Sequence, residues 1–259
     1  MVKITLDITK NVNQNASIYF DKVKVAKKKM KGATESVERA KKRLESEKVK
    51  YEKEQVKEEK KVKRKPHWYE KFRWFVSSEG FLVLGGRDAT TNEIIVKKHT
   101  EPKDVVFHTD MSGSPFFTVK AEGKEVGETT LQETSNATFM FSRALKLGLM
   151  TSKVFWVNPD QVSKEAQPGE YLTKGSFMIR GKTNYISPEF GLAIGSMEDG
   201  AIMCGPAAAV KKNTVKSVEL KAGGKLKTSD LAKRIKKQIG GEVDDIVRAL
   251  PPANVEIKK

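Results

Sequence analysis

Three stretches of the 259-residue chain gather side chains able to do chemistry. GGRDATTNEIIVKKH (85–99) sets Arg87, Asp88 and Asn92 behind a glycine pair, with Lys97 and Lys98 following. Guanidinium and carboxamide groups pair with phosphates or base edges, and a glycine pair lets the backbone turn sharply enough to present them on a loop. The structural alternative is a hairpin loop closed by an Arg87–Asp88 ion pair, with Asn92 satisfying the turn; residue types alone leave both open. DVVFHTDMSGSP (104–115) places His108 two residues from Asp110, and His99 closes the first stretch. Imidazole beside carboxylate suits acid–base work or metal ligation. Both histidines lie on or beside apolar runs, however, where a hydrogen-bonded structural role is commoner. QVSKEAQPGEYLTKGSFMIRGKTNYI (161–186) interleaves Lys164, Lys174, Arg180, Lys182 and Asn184 with Tyr171, Phe177 and Tyr185. Cations alternating with rings suit RNA, because bases stack on aromatic faces while phosphates meet the cations. Phe177 and Met178 are expected in the core, and Arg180 and Lys182 on a binding face.

Other chemistries find no support. Cys204 is the single cysteine, so no intrachain disulfide or thiolate cluster can form. Zinc-ligand spacing, a phosphate-loop pattern and GxGxxG are all missing. The expectation is therefore no cofactor, no metal, no catalytic residue and no enzymatic activity. Apolar runs stay well below the ~18 residues of a membrane span. MVKITLDITKNVNQN lacks the apolar stretch of a secretory leader. A cytoplasmic protein is expected.

These residues need elements to carry them. From Val12, alternating steps of four and three reach Ala16, Tyr19, Val23, Ala26, Met30, Ala33, Val37, Ala40, Leu44, Glu47 and Tyr51. All but Glu47 are apolar or Ala, with Lys, Glu and Arg between them, as in a coiled coil. The pattern runs through Gly32, which predicts one helix of about 50 residues and roughly 75 Å; a hairpin at Gly32 is the alternative. Val12, Ala16, Tyr19, Val23, Ala26, Met30, Val37 and Leu44 would form the interface with a partner strand. The Lys/Glu-rich stretch beyond it should end at Pro66.

Past His67 the aromatics of WYEKFRWFVSSEG suggest a helix packed into a core. FLVL (81–84), EIIVKK (93–98), DVVFHT (104–109), FFTVK (116–120), KVFWV (153–157), GSFMIRG (175–181), GLAIG (191–195) and AIMCG (201–205) read as short strands. Residues 129–149 read as one helix, with Thr130 and Glu133 at capping-box spacing. VKSVELKAG reads as a strand, KTSDLAKRIKKQIGG as a basic helix capped by Thr228 or Ser229, and EVDDIVRALPP as a helix stopped by Pro251 and Pro252. The expected fold is α+β with a mainly antiparallel sheet. Three regions are expected: a coiled-coil helix (1–65), a sheet domain (66–204) and a small basic module (205–259).

Charge follows the same division. Residues 1–65 hold 21 Lys/Arg against 10 Asp/Glu, residues 66–204 hold 15 against 17, and residues 205–259 hold 13 against 6. A net +16 concentrated on the flanks suits a polyanionic partner.

WYEKFRWFVSSEGFLVLGGRDATTNEIIVKKH, DVVFHTDMSGSPFFTVK and QVSKEAQPGEYLTKGSFMIRGKTNYI, in that succession, resemble the NFACT-R domain of the NFACT family. LDITKNVNQNASIYFDKVKVAKKKMKGA resembles the family's coiled-coil segment, and the stretch from VKKNTVKSVEL to RALPP resembles the end of its archaeal members. Complete members begin with a glycosylase-like domain, helix-hairpin-helix elements and the outgoing half of the coiled coil, which have no counterpart here. The resemblance implies ribosome-associated quality control: binding of an obstructed large ribosomal subunit and of rRNA or tRNA, and support of template-free tailing of the stalled peptide. RNA would meet Arg87, Asp88, Asn92, Lys97, Lys98, His108, Lys164, Arg180, Lys182 and Asn184. The helix would pair with a separately encoded N-terminal half or a second copy. Two alternatives remain: an RNA-processing or RNA-modification enzyme subunit, in which Arg87, Asp88, His108 and Asp110 converge within hydrogen-bond reach, and a coiled-coil adaptor.

Overall fold

A computed structural model of the chain describes residues 3–59, 64–149, 152–165 and 171–258, with side chains of 49–59 left aside. It divides into two units, Met1–Lys63 and Arg64–Lys259.

The first unit is built on one helix, α1 (Val12–Glu59), which runs unbroken through Gly32. No hairpin forms there. Asn11 and Gln14 cap its start reciprocally: the Gln14 N–H donates to Asn11 Oδ1 at 2.9 Å, and the Asn11 N–H to Gln14 Oε1 at 3.0 Å. Residues ahead of it fold back along the first turns. Asn15, only 7% exposed, accepts from the Asp7 N–H and donates to the carbonyls of Asp7, Lys10 and Asn11. The Tyr19 hydroxyl exchanges hydrogen bonds with the Thr5 backbone. Within the unit the heptad residues other than the half-buried Tyr19 stay in solvent: Val12 is 84% exposed, Met30 69% and Leu44 59%. The expected helix end before Pro66 and the Tyr51 side chain fall outside the described residues.

The second unit contains two antiparallel sheets and a short ribbon. Its elements are β1 (Arg73–Val76), β2 (Leu82–Gly85), α2 (Ala89–Lys98), β3 (Val105–Thr109), β4 (Phe117–Val119), α3 (Glu128–Met140), α4 (Arg143–Lys146), β5 (Val154–Val157), β6 (Val162–Ser163), β7 (Met178–Ile179), β8 (Asn184–Ile186), β9 (Leu192–Ser196), β10 (Ile202–Pro206), α5 (Ala207–Asn213), β11 (Lys216–Ala222), α6 (Thr228–Ile239), α7 (Val243–Ala249) and β12 (Val255–Ile257). The larger sheet has the order β1-β2-β4-β3-β5-β8, the smaller β10-β9-β11-β12, and β6 pairs with β7. Every pairing is antiparallel, as expected for the α+β class.

One apolar cluster runs through both sheets, from Phe72, Phe75 and Phe107 to Ile194, Met203 and Ile235. Gly205 makes the junction close, since a Cβ there would lie 3.0 Å from the Phe75 ring. The boundary expected at 204/205 therefore falls inside β10, and the sheet spans it.

Five local expectations are corrected. EIIVKK is the body of helix α2, because Asp88 caps the turn before it and outweighs the strand preference of Ile94, Ile95 and Val96. WYEKFRWFV forms a single 3-10 turn at Trp68–Lys71 and then β1. The helix expected over 129–149 breaks at Phe141–Ser142, where Ser142 Oγ accepts from the Ala144 N–H and starts α4. The N-cap position of α3 is Gly127 rather than Thr130. Its donors meet Glu79 from the β1–β2 turn, whose carboxylate accepts from the Thr130 N–H at 2.9 Å. Glu133 accepts from Ser78 of that turn. In α6, Lys227 occupies the cap position and no side chain caps it. β12 went unread in the sequence.

Candidate nucleic-acid interface

A cleft of about 610 Å³ opens on the second unit where the three chemistry-bearing stretches meet. The GGRD turn and the start of α2 form one wall, the loop between β3 and β4 another, and the turn 173–177 a third. Arg143 at the start of α4 and Pro252 also border it.

Glycines make these approaches possible. A Cβ on Gly86 would lie 1.7 Å from Asn92 Oδ1. Gly175, at φ +80°, passes so close to α2 that a Cβ would sit 2.5 Å from the Ala89 Cα. Its N–H donates to Glu93 at 3.0 Å. Glu93 also meets Lys164 at 2.6 Å. Lys164, followed by the Gly175 N–H, pulls the Glu93 carboxyl down to about 2.

Four expected RNA-binding residues reach the cleft, and each is already engaged. Arg87 donates to the main-chain carbonyls of Lys71 (3.0 Å), Phe72 (2.8 Å) and Arg248 (2.5 Å). Burial, reinforced by Arg248, pushes its guanidinium down to about 10. It clamps main chain and makes no ion pair with Asp88 among the described contacts. Asp88 caps α2 by accepting from the Thr91 N–H at 2.8 Å, which holds its carboxyl below the usual range. Thr91 answers by accepting from the Asp88 N–H. Asn92 Oδ1 accepts from the Phe116 N–H at 3.2 Å. His108 Nε2 lies 3.2 Å from the Ser114 carbonyl, which sets the proton on that nitrogen. Its ring stacks on Phe116 with centroids 4.2 Å apart. Burial pushes its pKa down, so the ring is neutral at pH 7.

The other six lie away from the cleft lining. Lys97 and Lys98 are exposed at the end of α2, Lys97 pairing with Glu93 at 3.6 Å. Lys164 also lies over the Phe177 ring, 4.8 Å from its centroid. Arg180 and Lys182 flank Gly181, and Gln161 Nε2 donates to both of their carbonyls, at 2.8 and 2.9 Å. Asn184 lies on β8, opposite Trp156. Phe177, expected in the core, is half-buried and lines the cleft.

Arg143, Lys174 and Arg73 were not among the expected contacts, yet all three border the cleft. Arg143 and Lys174 are exposed. Arg73 donates to the Leu250 carbonyl at 3.2 Å and lies over Phe141 at 4.7 Å. Burial, then Arg87, brings its guanidinium down to about 10. Lys174 stood in an interleaved run that could have flagged it; Arg143 and Arg73 join the site only through tertiary contact.

Arg87, Asp88, His108 and Asp110 line one cleft, but no hydrogen bond among the described residues joins any two of them. Asp110 instead accepts from the Tyr185 hydroxyl at 3.1 Å. The four side chains thus share the cleft, each held by partners outside the set. Among the described residues no group of three or more His, Cys, Asp or Glu side chains could hold a metal ion, and no helix is long and apolar enough to cross a membrane.

Residues 71–181, which supply most of this cleft, match the family described as "NFACT protein RNA binding domain". The "Archaeal Rqc2 homolog aRqcH" of Methanocaldococcus jannaschii is 43% identical over 205 residues, covering 77% of this chain and 30% of that protein. The "Ribosome quality control complex subunit NEMF homolog" of Drosophila melanogaster is 45% identical over 133 residues, 51% of this chain and 13% of that protein. The human "Ribosome quality control complex subunit NEMF" is 45% identical over 128 residues, 49% and 12%. The chain thus spans less than a third of each of these relatives. A solved C-terminal structure of the Streptococcus suis fibronectin/fibrinogen-binding protein aligns at 14% identity and TM-score 0.40, covering 60% of this chain and 52% of that one.

Proposed function

Because the chain belongs to the NFACT family, we propose that it binds RNA in ribosome-associated quality control, engaging the large ribosomal subunit through rRNA or tRNA. The observation that carries this reading is the convergence of the three family-like blocks on one cleft bordered by Arg73, Arg143 and Lys174. The partly exposed Phe177 ring and the exposed cations Arg143 and Lys174 at one mouth match the two demands of an RNA strand, stacking and phosphate neutralisation. Arg180, Lys182, Lys97 and Lys98 extend the contact, together with Arg234 and Lys237 on the exposed face of α6. Arg87, Asp88 and His108 act from behind it, by holding the walls.

The heptad face of α1 takes a second helix, from a separately encoded N-terminal half of the family architecture or from another copy of this chain. The protein acts in the cytoplasm as a binding component and carries no catalysis of its own.

Sedimentation with purified large subunits at low and high salt tests this. Co-sedimentation should fall by about tenfold or more between 50 and 200 mM salt, since several phosphate contacts release counterions. Arg143→Ala plus Lys174→Ala should weaken it at low salt, and Arg180→Ala plus Lys182→Ala should add to the loss. A chain that ignores both large subunits and tRNA in dilute buffer contradicts the proposal.

A further inference from the structure

Asn92 is the most informative group in the cleft. It is 8% exposed, and the Phe116 N–H requires an acceptor, which fixes its oxygen on that side. Its amide nitrogen then has no partner among the described residues and borders the cavity. A donor on a largely buried side chain, held in one orientation and open to the cleft without a protein acceptor, is suited to a ligand that brings one.

Beside Asn92 the lining is aromatic, supplied by His108, Phe116, Phe155 and Phe177. Phe116 stacks on the neutral His108 ring and meets Phe177 edge-on, with centroids 5.3 Å apart. Around the mouth stand Arg143 and Lys174, and no ion pair to an acidic side chain is found for either among the described residues. Arg73 likewise has a carbonyl partner but no carboxylate. The cavity of about 610 Å³ falls within the ~300–1,000 Å³ typical of small-molecule sites and is far too small for a duplex.

We infer that this cleft receives one unstacked nucleotide of a single-stranded RNA. The base packs against the half-buried Phe177 and offers an acceptor to Asn92 Nδ2, while its phosphate meets Arg143 and Lys174. This rests on the RNA-binding reading above and adds to it the form of the ligand: a splayed base rather than a helical surface. Bases inside a duplex present no free face for such stacking.

The full chain is tested against a 4-thiouridine-containing RNA oligonucleotide, the same oligonucleotide in a blunt duplex, and free uridine monophosphate. Single-strand affinity should exceed duplex affinity by about tenfold, the scale of one base–aromatic stack. Photocrosslinks from the single strand should map to 108–116 or 173–177. Free monophosphate should compete only at far higher concentration; competition at equal concentration would show a mononucleotide site and overturn the assignment to an RNA strand. Asn92→Asp keeps an acceptor for the Phe116 N–H but removes the donor, and should abolish the single-strand preference. Phe177→Ala should do the same with duplex binding unchanged, and serves where Asn92→Asp melts early. RNA binding with equal affinity for both forms, or crosslinks confined to α6, overturns the cleft assignment and leaves the RNA reading standing. Loss of all RNA binding in the unmodified chain overturns both.

Discussion

Leu44 on α1 and Leu84 on β2 are the same residue type with opposite fates: the first is 59% exposed, the second fully buried. The contrast extends to their units. In Arg64–Lys259 apolar side chains close on one another across two sheets; in Met1–Lys63 a comparable periodicity faces solvent from Val12 to Leu44. A repeating apolar pattern specifies which face wants cover, whereas only tertiary topology supplies the cover. Helix α1 therefore owes its form within this chain to local terms, the Asn11–Gln14 cap, the Asn15 fold-back and side-chain propensity.

The contrast is sharpened most strongly at the buried ion pair. Lys120 Nζ contacts Asp104 and Glu101, with Asp104 only 2% exposed. Asp104→Ala leaves the lysine buried against one exposed acid, and should cost about 3–5 kcal/mol in denaturant unfolding of the second unit. Leu84→Ala should cost about 2–5 kcal/mol in the same assay. Its counterpart Leu44→Ala should change the stability of the isolated chain by no more than about 0.5 kcal/mol. A large loss at Leu44 would show that the chain already covers its own stripe, for instance by pairing with a second copy, and sedimentation equilibrium would then report the dimer. Gly175→Ala forces a Cβ against the Ala89 main chain at φ +80°, and should cost about 1–3 kcal/mol while weakening RNA binding, read by melting and by filter binding.

The smallest effect is a pH dependence. Glu93 is held at about 2 against an ordinary 4.5, so it binds its proton less readily folded than unfolded. Its contribution is present in full above pH 4.5 and is lost as pH falls toward 2. Lys164→Ala should remove that part of the acid dependence; an unchanged acid profile would mean the pair is fully screened.

What the sequence made legible follows the same divide. Strands such as FLVL, DVVFHT and KVFWV and the rod of α1 are periodic signals confined to a few turns or residues, and they appear where expected. EIIVKK misled because Ile-Ile-Val favours a strand locally, while the decisive residue, Asp88, lies just outside the run. At the site, Asn92 and His108 could be singled out by type. Their states could not, since both depend on contacts with the 114–116 backbone. Arg143 gave no signal because the helix break that exposes it is set by Ser142 within an apparently continuous pattern.

The capping of α3 by Glu79 has a kinetic consequence. The carboxylate lies 51 residues up-chain from the Thr130 N–H it serves. Loop closure over that distance must precede the reward of the bond, so α3 gains its N-terminal support only once the β1–β2 turn has formed and docked. The bond is thus made late, and Glu79→Gln should speed unfolding of the second unit more than it slows refolding.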